Sequence, residues 1–203
     1  KGKTVLITGA GSGVGRLTAL QFAKEGCSNL VLWDLNAMGM METQELILKV
    51  APGVRICTAV VDVSSTKAVY EAAKNANAWA SPSYVSVLIN NAGIVSGKPL
   101  LETEDSKISK TFQVNVLAHF WTTKAFLPKM ISEKFGHVVT VASIAGLTAA
   151  PKMVDYGTTF VFSFSKSDSS SESEHTILYT HTQRQANTEL WGLRPDSEKN
   201  SNK

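Results

Sequence analysis

Val5-Leu6-Ile7, a short β-branched and leucine run, enters Thr8-Gly9-Ala10-Gly11-Ser12-Gly13-Val14-Gly15, and the apolar spacing then turns helical through Leu17, Leu20 and Ala23. The order is strand, glycine turn, helix. Glycines at 9, 13 and 15 let the backbone turn tightly and approach a diphosphate, whose charge rests on the free N–H groups opening the helix. A second strand, Leu30-Val31-Leu32-Trp33, delivers Asp34 nineteen residues after Gly15, the separation at which a carboxylate meets a ribose 2′-hydroxyl. The pair reads as a dinucleotide site.

The rest of the chain repeats that rhythm. A third strand is expected over Val54–Val61, ending at Asp62-Val63, with Ser64 or Ser65 capping a helix from Thr66 to Trp79 that Ser81-Pro82-Ser83 breaks. Val85–Ile89 is almost wholly apolar, as a strand covered on both faces should be, and runs into Asn90-Asn91-Ala92-Gly93. Helical spacing spans Thr103–Met130, where Pro128 should bend or end the helix. His137–Ala142 is a fifth strand, followed by Ser143. Strands alternating with helices predict right-handed parallel crossovers and a doubly wound, Rossmann-like three-layer α/β/α sheet with its ligand at the carboxyl ends of the strands.

Composition sets limits. With 203 residues, 43% hydrophobic and 18% charged, the chain can bury one α/β core. A net charge of +3, without basic runs or interleaved aromatics, excludes a nucleic-acid surface. Cys27 and Cys57 lack metal-ligand spacing and read as free thiols in a reducing compartment, and His119 and His137 have no second ligand, so no metal is expected. No stretch reaches the ~18 apolar residues that span a bilayer, which suggests a cytoplasmic chain. It opens at Lys1 rather than Met, so an upstream signal or anchor would be invisible.

After Tyr156 the character changes: Ser163–Ser173 holds seven serines in eleven residues, and the remainder to Lys203 has no sustained period. The expected division is a dinucleotide-binding domain over 1–156 and a divergent, serine-rich, poorly ordered tail over 157–203, in which Val161-Phe162 and Ile177-Leu178-Tyr179 could form short strands. The fold would then be C-terminally incomplete, leaving the fifth strand an uncovered apolar edge and the chain poorly soluble.

Thr8–Gly15 fits T-G-x-x-x-G-x-G at every fixed position, where the strict G-x-G-x-x-G fingerprint fails at Val14 or Arg16. Together with Asn91-Ala92-Gly93-Ile94-Val95-Ser96-Gly97, the run from Ala118 to Pro128 and Gly136–Ser143, it makes Thr4–Tyr156 resemble the short-chain dehydrogenases/reductases, in the branch of retinol and hydroxysteroid dehydrogenases. The resemblance implies NAD held by Gly9, Ser12, Gly13, Val14, Gly15 and Asp34, with Asp62 and Val63 flanking adenine and Asn90, Asn91, Ala92 and Gly93 packing against the cofactor. Asp34 and Ser12 favour NAD over NADP, because a carboxylate repels a 2′-phosphate. Asn115, Ser143 and Tyr156 take the catalytic positions. Relatives of this kind form homodimers through a helix that has no match after Gly157, and are often held at the endoplasmic reticulum or lipid droplets by an upstream hydrophobic segment.

The chemistry explains those residue types. Hydride transfer to a carbonyl leaves an alkoxide, which needs a hydrogen-bond donor and a proton source within about 3 Å; Ser and Tyr hydroxyls supply both. An ordinary phenol, pKa ~10, is a poor base at neutral pH without a cation beside it. In the family a lysine four residues after the tyrosine is that cation, whereas this chain has Phe160 there; Lys166, ten residues on, would lie ~15 Å away along a helix. The expectation is therefore an NAD-dependent oxidoreductase of a hydrophobic alcohol or ketone (retinoid, steroid or lipid-like), impaired by that loss. The alternatives are a catalytically silent dinucleotide-binding module or a truncated product of a frameshift or altered exon junction. By the residues alone, Ser143 also fits a plain helix cap and Asn115 a tolerated polar residue.

Overall fold

The computed structural model describes residues 1–148, 151–161 and 175–181. Six strands, β1 (Thr4–Thr8), β2 (Asn29–Asp34), β3 (Arg55–Val60), β4 (Val85–Asn90), β5 (Gly136–Ala142) and β6 (His175–His181), form one sheet in the order β3-β2-β1-β4-β5-β6. Every pair is parallel. The helices are α1 (Gly13–Lys24), α2 (Ala37–Val50), α3 (Thr66–Ala80), α4 (Asp105–Phe112), α5 (Ala118–Ser132) and α6 (Val154–Val161).

The alternation of side chains along β1 divides the core into two layers. Val5 and Ile7 join Ala19, Ala23, Met40 and Ile47 beneath α1 and α2, while Leu6 joins Val69, Ala73, Phe126 and Met130 beneath α3 and α5. Trp33 at the end of β2 is almost fully buried, its ring 5.8 Å from that of Phe126. Burying one such side chain contributes about 1.5–3 kcal/mol, so the sheet is held on both faces. Cys27 and Cys57 are free thiols, and burial pushes Cys27 up to about 11.

The helix expected over Thr103–Met130 differs in two ways. It is interrupted at Gln113–Leu117 by a π-helical turn joining α4 to α5, and it starts at Asp105 behind a short 3-10 turn, Leu100–Glu102. Pro128 does not end it: α5 runs on to Ser132, because Phe126 and Met130, each 1% exposed, anchor the helix on both sides of the lost backbone hydrogen bond.

β6 corrects the expectation of an uncovered β5 edge. It pairs with β5 in continuous register from Gly136↔His175 to Ala142↔His181 and includes Ile177-Leu178-Tyr179. The physical cause is the open row of N–H and C=O groups along β5, which a parallel strand satisfies. Of the tail expected to be poorly ordered, 157–161 completes α6 and 175–181 is β6; 162–174 and 182–203, with Lys166 and Phe162, lie outside the described residues.

Candidate functional site

Strand order reverses between β1 and β4, so their carboxyl ends part and open a crevice. Thr8 fixes its width. Its Oγ1 accepts from the backbone N–H groups of Asn91 and Ala92 at 3.0 Å each and donates to the carbonyl of Ile89 at 3.4 Å. The Asn91 side chain returns the tie, Nδ2 donating to the carbonyls of Thr8 at 2.9 Å and Gly9 at 3.2 Å.

The three predicted glycines do different work. At Gly9, with φ +68, a Cβ would stand 2.9 Å from the Cα of Ala92; at Gly15 it would stand 2.0 Å from the carbonyl oxygen of Gly9. Both therefore serve close packing. Gly13, with φ +51, has no atom within 4 Å of the place a Cβ would take, so its outward side is open to the cleft. Ser12 caps α1 by position and makes no side-chain hydrogen bond there, which leaves the N–H groups of the first turn directed outward.

Asp34 stands at the end of β2 with Oδ2 accepting from the N–H of Gly11 and Oδ1 from that of Asn36, each at 2.8 Å. It thus braces the glycine turn while facing the cleft. Asp62 accepts from the N–H and hydroxyl of Ser64 at 2.9 and 2.6 Å and from Lys110 Nζ at 2.9 Å. Burial pushes its carboxyl upward, but the bonds from Ser64 and Lys110 outweigh that and hold it below the ordinary carboxylate range. Lys110 also donates to the Ser64 hydroxyl.

A cleft of about 460 Å³ gathers Gly9, Ser12, Gly13, Val14, Asp34, Asp62, Val63, Asn91, Ala92 and Gly93 on one side and Tyr156 on the other. Four predicted residues do not line it. Gly15 lies beneath the turn, and Asn90, 1% exposed, accepts from Thr122 Oγ1 at 2.7 Å. Ser143, 4% exposed, caps the single turn Ile144–Gly146, its Oγ accepting from the N–H of Ala145 at 3.2 Å. Asn115, buried in the π turn, accepts from the N–H of Ile94 at 2.9 Å and donates to the carbonyl of Ile94 and the hydroxyl of Thr159 at 3.0 and 3.2 Å.

Sequence reasoning missed two participants. Lys110 lines the cleft along with Phe160, and Asp155, beside Tyr156, orients α6 by accepting from Thr111 Oγ1 at 3.0 Å and the N–H of Ser96 at 3.2 Å. Burial pushes the Asp155 carboxyl up, but those bonds hold it below its ordinary value. Phe160 is marked in the sequence by standing four residues after Tyr156, whereas Lys110 and Asp155 sit in no motif. The rings of Tyr156 and Phe160 meet edge to face, 4.7 Å between centroids, and Phe160 is packed so closely on Gly146 that a Cβ there would come within 2.8 Å of its backbone.

The family model described as short chain dehydrogenase matches residues 3–179, ending within β6. Estradiol 17-beta-dehydrogenase 11 of Pongo abelii is 52% identical over 155 residues, which is 76% of this chain and 50% of that protein. Epidermal retinol dehydrogenase 2 of Homo sapiens is 45% identical over 184 residues, 91% of this chain and 56% of that one. The solved structure of an NAD+-bound xylitol dehydrogenase superposes with a TM-score of 0.72 at 30% identity, covering 79% of this chain and 60% of the other. The chain spans about half the length of the curated relatives it matches. Among the described residues no helix is long and apolar enough to cross a membrane, and no group of three or more His, Cys, Asp or Glu side chains is placed to hold a metal ion.

Proposed function

This chain belongs to the short-chain dehydrogenase family, and we propose that its cleft takes NAD and serves hydride transfer to or from a hydrophobic alcohol or ketone of retinoid, steroid or lipid-like character, at a rate curtailed by Phe160. The observation that carries the reading is a single crevice at the β1/β4 switch point that joins a glycine turn, two carboxylates and a tyrosine. The open space over Gly13 fits a diphosphate approaching the first turn of α1. Asp34 would accept from the adenosine ribose hydroxyls, since each oxygen keeps a lone pair beside its one backbone bond, and its charge favours NAD over NADP. Asp62 and Val63 would border the adenine.

When bound, the nicotinamide supplies or accepts the hydride. The chain's own part is to hold substrate oxygen near the Tyr156 hydroxyl, which gives it a proton or takes one. Among the described residues Lys110 is the basic one lining the cleft, and it is engaged by Asp62 and Ser64, so none of them leaves a free cation to favour the phenolate. The Ser143 hydroxyl accepts from the N–H of Ala145 and keeps its own proton to donate, but it is buried off the cleft and would have to be uncovered to polarise the substrate. These two features also favour a second reading, a dinucleotide-binding module without turnover.

Calorimetric titration with NAD followed by absorbance at 340 nm in the presence of retinol or estradiol tests both readings. Saturable NAD binding with turnover at least about 100-fold below a Phe160→Lys variant is expected, in line with the 10²–10⁴-fold contribution of positioned acid–base groups. Absence of NAD binding by a folded sample defeats the proposal.

A further inference from the structure

The two ends of the cleft are unequal in what they offer a ligand. At the end built by β1, β2 and β3, recognition is polar and preset: outward N–H groups of the first turn of α1, the open side of Gly13, and the carboxylates of Asp34 and Asp62, both already fixed in place by backbone or side-chain donors. At the other end the wall is the Tyr156–Phe160 ring pair with Val141 and Ala142. Phe160 is 5% exposed, and its ring is held edge to face against that of Tyr156. Among the described residues lining the cleft, the Tyr156 hydroxyl is the one side-chain donor at that end, because Lys110 is held at the opposite end by Asp62.

A nicotinamide dinucleotide laid in such a cleft places its ADP-ribose part against matched partners and its second ribose against hydrocarbon. Hydroxyls buried there lose water and, among the described lining side chains, gain the Tyr156 hydroxyl alone, and that loss offsets the apolar contact of the nicotinamide ring. Resting on the reading of the cleft given above, we propose that the site recognises the ADP-ribose portion alone and does not distinguish NAD from ADP-ribose, a diphosphate nucleotide lacking nicotinamide. The specificity-determining residue is Phe160, through its ring, and the ligand class is adenosine diphosphate esters.

Isothermal titration of the full chain with NAD, ADP-ribose and nicotinamide mononucleotide reads this directly, with circular dichroism confirming that the sample is folded. NAD and ADP-ribose should give Kd values within fivefold of one another, and the mononucleotide should show no saturation. Phe160→Lys, which supplies a donor at the apolar end, should tighten NAD relative to ADP-ribose by tenfold or more. A native chain binding NAD more than fivefold tighter than ADP-ribose overturns the proposal, as does saturable binding of the mononucleotide. If the variant does not fold, the native comparison decides by itself. A folded chain that binds neither dinucleotide nor ADP-ribose removes the parent reading of the cleft, an outcome distinct from tight NAD with weak ADP-ribose, which removes only this one.

Discussion

The glycine end of the cleft and the tyrosine end are built by different means. The first is made almost entirely of backbone: Gly9 and Gly15 approach so closely that neither admits a Cβ, and Asp34 clasps the turn through N–H groups of Gly11 and Asn36. The second depends on side chains brought from separate segments, Val141 and Ala142 on β5 and Tyr156 with Phe160 on α6, while Asn115 in the π turn and Ser143 after β5 stay buried off the cleft. Backbone architecture is specified by a dozen contiguous residues and survives changes elsewhere. A constellation of side chains is undone by one replacement, and in the proposed function Phe160 is that replacement.

If this contrast is right, a Cβ should harm the two ends of the turn unequally. Gly15→Ala drives a methyl into the Gly9 carbonyl at 2.0 Å, so about 3 kcal/mol of stability and all nucleotide affinity should be lost. Gly13→Ala meets no neighbour and should cost only about 1 kcal/mol for its left-handed backbone, yet still weaken NAD because the methyl enters the cleft. Denaturant midpoints and NAD titration of the two variants check this; equal destabilisation would erase the distinction.

Acid should act through α5, just beyond the π turn. Burial lowers His119 on α5 from 6.5 to about 4, and its Nε2 has no hydrogen-bond partner. As pH falls below 6.5 the unfolded chain takes up a proton that the native ring refuses, so stability declines until both carry it near pH 4. The loss at pH 5 is about 2 kcal/mol. His119→Gln should abolish that decline in urea midpoints between pH 7 and 5, and an unchanged slope would clear His119.

The smallest effect concerns selectivity at the backbone end. Asp34→Ser removes the charge that repels a 2′-phosphate and should narrow the NAD:NADP affinity ratio by about tenfold, ~1.4 kcal/mol. Competition titrations measure it. No change would mean that Asp34 acts only as a brace for Gly11.

How much of this was readable from residues follows the same division. The glycine turn, Asp34 and the first five strands announce themselves because each is a local pattern: a β-branched run, a fixed spacing, an alternation. Lys110 reaches Asp62 across 48 positions, Thr122 reaches Asn90 across 32, and Asp155 reaches Thr111 across 44, contacts that no window of sequence contains. The π turn escaped for a related reason: one extra residue per turn leaves the apolar count intact while shifting which side each later residue presents. β6 offered only a three-residue apolar signal beside a serine-rich run, and its place was decided by the vacant flank of β5.

That wide turn has a mechanical consequence. In an uninterrupted α-helix Thr111 and Thr122 would point within about 20° of each other, yet one hydroxyl reaches Asp155 on α6 and the other Asn90 on β4, with Asn115 between them gripping Ile94 and Thr159. The local unwinding works as a swivel, so that one length of helix clamps the sheet through Thr122 and the tyrosine-bearing segment through Thr111. Any change that rewound it to regular pitch would force the helix to release one of its two grips.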